Sequence, residues 1–146
     1  SWHLKRPTTV VIAGLENALE AALQIATPER RLECLAVFAR IAVLLGQADI
    51  GERVLYGAMS SINQQPSKLV RMQLLLHLCD AIKTSRLSSA FPSFLGSAAE
   101  HGRSESFNGW ALDNGTTAES RREFEHMEHR FKEFLPDRAK RTGWDA

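Results

Sequence analysis

Nothing in this sequence alternates apolar and polar residues in the two-residue rhythm of a half-buried strand, which argues against the all-β classes. The one β-prone stretch, residues 8–12, is cut short by Ala13 and Gly14. Long apolar runs are missing too. Stretches such as residues 41–45 fall far short of the roughly 20 residues a membrane span needs. No basic segment leading into an apolar stretch and a small-residue cleavage site opens the chain, so secretion is not signalled and a cytoplasmic location is expected. The chain begins at Ser1 rather than methionine, as a processed chain or a piece of a longer one does. Cysteine is scarce. Cys34 and Cys79 each sit inside an apolar run, where a thiol acts as a small buried hydrophobe. A disulfide needs Cα atoms within about 7 Å, and the spacing gives no sign of one. Charge of one sign is lacking as well: 18 basic against 17 acidic residues leave a net +1, too little to gather nucleic acid or an anionic membrane by overall field. Glycine-rich phosphate loops, a nucleophile elbow and paired carboxylates are also missing. The chain therefore leans away from an enzyme, and no cofactor is expected.

What is present is helical periodicity. The 146 residues, 44% hydrophobic and 24% charged, suit one globular domain. A basic lead over 1–7 precedes a first helix, capped by Thr8 or Thr9 and running to about residue 25, with Ile12, Leu15, Leu19, Ala22 and Leu23 on one face. Thr27, Pro28 and Glu29 form a helix start. The second helix, about 28–45, carries one stripe of Leu32, Leu35, Phe38, Ile41, Ala42 and Leu45, which Val37, Val43 and Leu44 widen until little polar face is left, and this predicts a buried helix. Gly46 stops it, and Asp49 can cap a third helix reaching Ile62. Ser67 caps a fourth, to about residue 83, whose leucines make it central. A short fifth follows over about 91–100. Between residues 101 and 115, glycine, serine and asparagine mark a flexible loop. Thr116 and Glu119 match a capping box that opens a last helix, amphipathic over about 116–136 and striped by Phe124, Met127, Phe131 and Phe134. Residues 137–146 make a polar tail. The expected architecture is all-α: a helical bundle or short α-solenoid of antiparallel hairpins over 1–100, closed or extended by the C-terminal helix.

Possible metal sites fail on spacing. His77 and Cys79, two residues apart, point to different sides of a helix, with Cys34 elsewhere; zinc wants about four ligands in tighter pairs. His126 and His129 lie three apart, whereas the metalloprotease helix places two histidines four apart. No metal is expected. Basic residues suggest an alternative: Lys68, Arg71, Lys83 and Arg86 on or beside the fourth helix form a basic face for nucleic acid. Phe107 and Trp110, with Leu112, are large apolar residues in a polar loop, placed either to anchor a partner or to fold back over the bundle.

Leu35, Phe38, Ala39 and Ala42, then Gly46, then Gly51, Leu55 and Ala58 fall in a pattern of small and large residues around a glycine turn. Over about residues 32–65 the chain resembles one degenerate tetratricopeptide-type repeat, a family whose period is about 34 residues. Leu35 and Ala42 stand where the family has aromatic residues, and the closing proline is displaced to Pro66. The resemblance implies helical hairpins whose first helices line a concave binding face, making Arg40, Arg71 and His77 candidate contacts. The expected function is a protein-protein interaction or scaffolding module with a protein partner. Self-association through the C-terminal helix is a further expectation, and nucleic-acid binding is the alternative function.

Overall fold

The computed structural model describes the backbone of residues 2–135 and the side-chain surroundings of residues 9–135. Among the described residues there are seven helices and no strand: α1 (Trp2–Leu23), α2 (Pro28–Leu44), α3 (Ala48–Asn63), α4 (Lys68–Thr84), α5 (Pro92–Arg103), α6 (Phe107–Asn114) and α7 (Ala118–Lys132). The fold is an all-α helical bundle.

Local chemistry explains most of the boundaries. Pro28 occupies the first turn of α2, where its missing N–H is not needed. Gly46 adopts φ +77° just past the end. Its N–H donates to the Val43 carbonyl (3.1 Å) and that of Gln47 to Ala42 (2.7 Å), the pair of bonds that closes a Schellman motif. Ser67 caps α4 by accepting from the Val70 N–H at 3.2 Å. Three starts differ from expectation. The helical backbone of α1 begins at Trp2, upstream of both threonines. The α3 cap is Gln47, with Asp49 inside the first turn. The α7 cap is Thr117 rather than Thr116, accepting from Ser120 N–H at 3.1 Å, so Glu119 is not the reciprocal partner.

The larger correction concerns residues 101–115, expected as a loop. Here α5 runs on to Arg103 and a further helix, α6, fills most of the rest. Two glycines that read as loop punctuation are close-packing notches instead. A Cβ on Gly102 would lie 2.3 Å from the Phe131 ring, and one on Gly109 would lie 1.9 Å from the Lys68 stem. Ser106 caps α6 by accepting from Gly109 N–H at 3.2 Å.

The hairpins α2/α3 and α4/α5 stand side by side, α2 on α4 and α3 on α5. At the first hairpin α3 comes so close to α2 that a Cβ on Gly51 would meet the Ala39 carbonyl at 3.1 Å. Packing against both hairpins makes α4 the centre, with Met72, Leu75, Leu78, Cys79 and Ile82 buried. One end is covered by α1 lying on α2. At the other, α7 lies on α5 and α4, with Phe124, Phe131 and Phe134 buried in the main core. Its stripe is thus used within the chain, so of the two expected uses this helix closes the core.

Candidate binding surfaces

Contrary to its nearly continuous apolar sequence, α2 is not buried all round. Leu32, Leu35, Ala36, Phe38, Ala39 and Ala42 face the core. Val37, Ile41, Leu44 and Leu45, at helical spacing on the opposite side, are 51%, 44%, 68% and 47% exposed. Four large aliphatic side chains in one strip on the outside of a helix are a patch of the kind that marks an interaction site. Beside the strip, α2 and α4 enclose a shallow depression of about 390 Å³ lined by Glu33, Val37, His77, Asp80, Thr84 and Ser85. Across it His77 Nε2 lies 3.1 Å from Glu33 Oε1, and Asp80 accepts from Arg130 of α7 at 2.7 Å. Polar contacts therefore tie α2 to α4 and α4 to α7 on this face.

Three basic residues meet at its end through main-chain carbonyls. Arg40 Nη1 donates to the Arg86 main-chain carbonyl at 3.1 Å, and the Arg86 N–H donates to the Lys83 carbonyl. Lys83 and Arg86 are exposed and Arg40 half-buried. Arg86 stands at φ +59°, among the described residues the one non-glycine with positive φ. The Leu87 N–H bonds Ile82 C=O at 2.9 Å, so the α4 end repeats the Schellman geometry seen at Gly46 with arginine where glycine is usual.

The other two residues of the expected basic face are elsewhere. Lys68 and Arg71 lie at the opposite end of α4, about 22 Å and about 18 Å along the helix from Lys83 at 1.5 Å per residue. Both are engaged by Glu105: Arg71 Nε at 2.7 Å and Lys68 Nζ at 3.5 Å. Arg71 also donates to the Gln65 carbonyl. Burial raises the Glu105 carboxyl, but the hydrogen bond and charge of Arg71, with Lys68, outweigh it and hold the group below the usual carboxylate range. Asp113 of α6 adds a tertiary cap, accepting from Leu69 N–H (3.2 Å) and Ser67 Oγ (2.8 Å), and these bonds keep its carboxyl low as well. The four cations thus do not make one phosphate-binding surface. Arg71 is corrected as a partner contact: its fork is spent on holding α4 to the segment before α6.

Trp110 is also corrected as a partner anchor. It is 2% exposed, and its Nε1–H donates to Ser120 Oγ (2.9 Å), which in turn donates to the Gly115 carbonyl (2.7 Å). Phe107 meets the Phe124 ring edge-on at 5.6 Å between centroids, and the Arg121 guanidinium covers it at 4.1 Å. Both aromatics fold back because α6 gives them a helix face directed at α7. Leu112, on the same short helix, stays exposed.

Chemistry of other kinds has little footing. Among the described residues no group of three or more His, Cys, Asp or Glu side chains is placed to hold a metal. Cys34 and Cys79 are free thiols. Burial, then Asp80, pushes the Cys79 thiol up to about 12. Among the described residues no helix is long and apolar enough to cross a membrane. A second concavity lies between α1 and α3, about 360 Å³ in volume, its wall mostly aliphatic and including Leu19, Leu32, Leu35, Ile62, Leu74 and Arg31.

Sequence reasoning picked out Arg40 and His77, which the structure brings to one face. It missed the α2 strip beside them, because periodicity shows how wide an apolar face is but not which part of it a neighbour covers. Compared with protein-family models, with curated proteins and with solved structures, the chain gives no significant match.

Proposed function

We propose that the protein is a non-catalytic interaction module whose α2/α4 face takes an acidic amphipathic segment of a protein partner. The observation that carries this is the exposed strip of Val37, Ile41, Leu44 and Leu45 on α2, bordered at one end by Arg40, Lys83 and Arg86. An apolar strip beside a cation cluster matches a peptide with a leucine-type stripe and acidic flanks, the helix-in-groove mode of recognition. The left-handed backbone at Arg86 adds support. Glycine would occupy that conformation without strain, and strained positions concentrate where function requires the side chain. On this reading α2/α3 is one degenerate tetratricopeptide-type hairpin, and α4/α5 is a second helical hairpin beside it that lacks the motif. Their first helices line the binding face, and Arg40 and His77 are its polar contacts. The side-by-side order of the hairpins is what favours that likeness.

The test is binding of a synthetic helical peptide with a leucine stripe and glutamate flanks, read by fluorescence anisotropy. Ile41→Glu and Leu44→Glu should each weaken binding at least tenfold, because each sets a charge in the strip and against the acidic flanks. Leu112→Glu, on the exposed side of α6, should not. Equal affinity in all three variants would refute the proposed face. Nucleic-acid binding that weakens steeply with salt and is lost on Lys83→Ala would replace this reading with the other.

A further inference from the structure

We propose that the cleft between α1 and α3 is a binding site for one long-chain carboxylate, its alkyl chain along the cleft and its head group on Arg31. The cleft is separate from the α2/α4 face and the inference does not depend on that reading. Its volume, about 360 Å³, lies in the range of sites that enclose small ligands, roughly 300–1,000 Å³. Leu32, Leu35, Ile62 and Leu74 are buried residues on its wall, and Leu19 is half-buried. Arg31 is the one charged residue among those lining it; Ser61 and Gln65 are neutral, and no carboxylate is present.

Two features select the occupant. The first is the sign and shape of the charge. Arg31 Nη1 is tethered to the Ile25 carbonyl at 2.8 Å, which steadies the side chain. A planar guanidinium carries five N–H donors in a fork that matches a carboxylate. The second is that polar side chains along the rest of the wall are confined to Ser61 and Gln65. A peptide strand laid there would leave backbone N–H and C=O groups unpaired, at a cost an aliphatic lining does not offset. An alkyl chain has no such groups, and each methylene it buries leaves water favourably. Gly57 also borders the cleft, and a Cβ added there meets nothing within 4 Å.

The probe is laurate, titrated calorimetrically below its micellar concentration, with lauryl alcohol, kept within its solubility, as its uncharged counterpart. The full chain should bind one laurate, about tenfold or more tighter than the alcohol, as a charge-assisted hydrogen bond would give. Arg31→Gln should abolish that preference while the alcohol still binds. Gly57→Phe adds a large side chain at the open glycine and removes glycine from a helix interior, so it should abolish binding of both probes with the helical signal intact. No laurate binding to the unmodified chain, unsaturable uptake of many laurates, or unchanged binding in Gly57→Phe would each overturn the assignment. Cosedimentation with phosphatidylserine vesicles that Gly57→Phe removes would give the cleft to a membrane lipid, and would overturn it too.

Discussion

Replacing Arg86 by glycine should make the protein more stable while weakening the binding proposed for its α2/α4 face. Arg86 follows the α4 C-cap with φ +59°. An L-residue in the left-handed region costs roughly 1–2 kcal/mol, from its Cβ against the backbone. Glycine removes that strain but frees the unfolded chain, giving back about 0.4–1 kcal/mol. The side chain itself is exposed. The tertiary bond at this residue runs from Arg40 to the Arg86 carbonyl, so the substitution leaves it in place. The net expectation for Arg86→Gly is about 0.5–1 kcal/mol of added stability, or a Tm raised by about 2–4 °C for a chain of this size. Urea and thermal unfolding followed by circular dichroism measure it. Arg86→Ala is the control, because alanine removes the same charge but keeps the Cβ. If glycine and alanine give the same stability, or glycine destabilises, the reasoning from backbone strain is wrong. If Arg86→Gly binds the acidic peptide as tightly as the parent, the cation has no part in recognition.

Trp110→Phe should cost about 1–3 kcal/mol, because Ser120 loses its indole donor inside a buried site; urea unfolding would show it. Gly102→Ala should destabilise by at least 1–3 kcal/mol, since the new Cβ overlaps the Phe131 ring; a Tm equal to the parent's would contradict the close packing of α5 on α7. Native Cys79 should resist thiol-labelling reagents at neutral pH and react only when the chain unfolds, its pKa being pushed up to about 12 by burial; counting modified thiols with and without denaturant tests this. The Glu105 carboxyl is lower in the folded state than in the unfolded chain, so its contribution is present above the ordinary carboxylate pKa and is lost as pH falls through the depressed folded value. Glu105→Gln should therefore flatten the fall of stability on acidification, as unfolding midpoints across the acid range will show.

Helix existence was legible in residue order because helix formation is local. The apolar spacing of α4, the proline opening α2, the glycine closing it and the serine before α4 each act within a few residues. The close approach of Ala39 and Gly51 was legible for a similar reason, since two small residues near one turn face each other across a hairpin. What α2 does with its apolar circumference depends on neighbours far along the chain: α1, α3 and α4 cover one side and leave Val37, Ile41, Leu44 and Leu45 outside. Gly102 and Gly109 read as a linker until Phe131 and the Lys68 stem are set against them.

Cations follow the same division. In sequence, Lys68, Arg71, Lys83 and Arg86 are one basic helix, because nothing nearby in the chain distinguishes its two ends. Glu105 arrives only through tertiary folding and draws the first two into ion pairs, while Arg40 joins the second two from α2. The sequence alone therefore determined that the chain is helical and where α2 and α4 begin and end, since those outcomes rest on backbone bonds and caps spanning a few residues. Which side of each helix meets solvent was decided by packing between helices, and the charges of Arg71 and Arg40 were placed by contacts 34 and 46 positions apart, which no local pattern encodes.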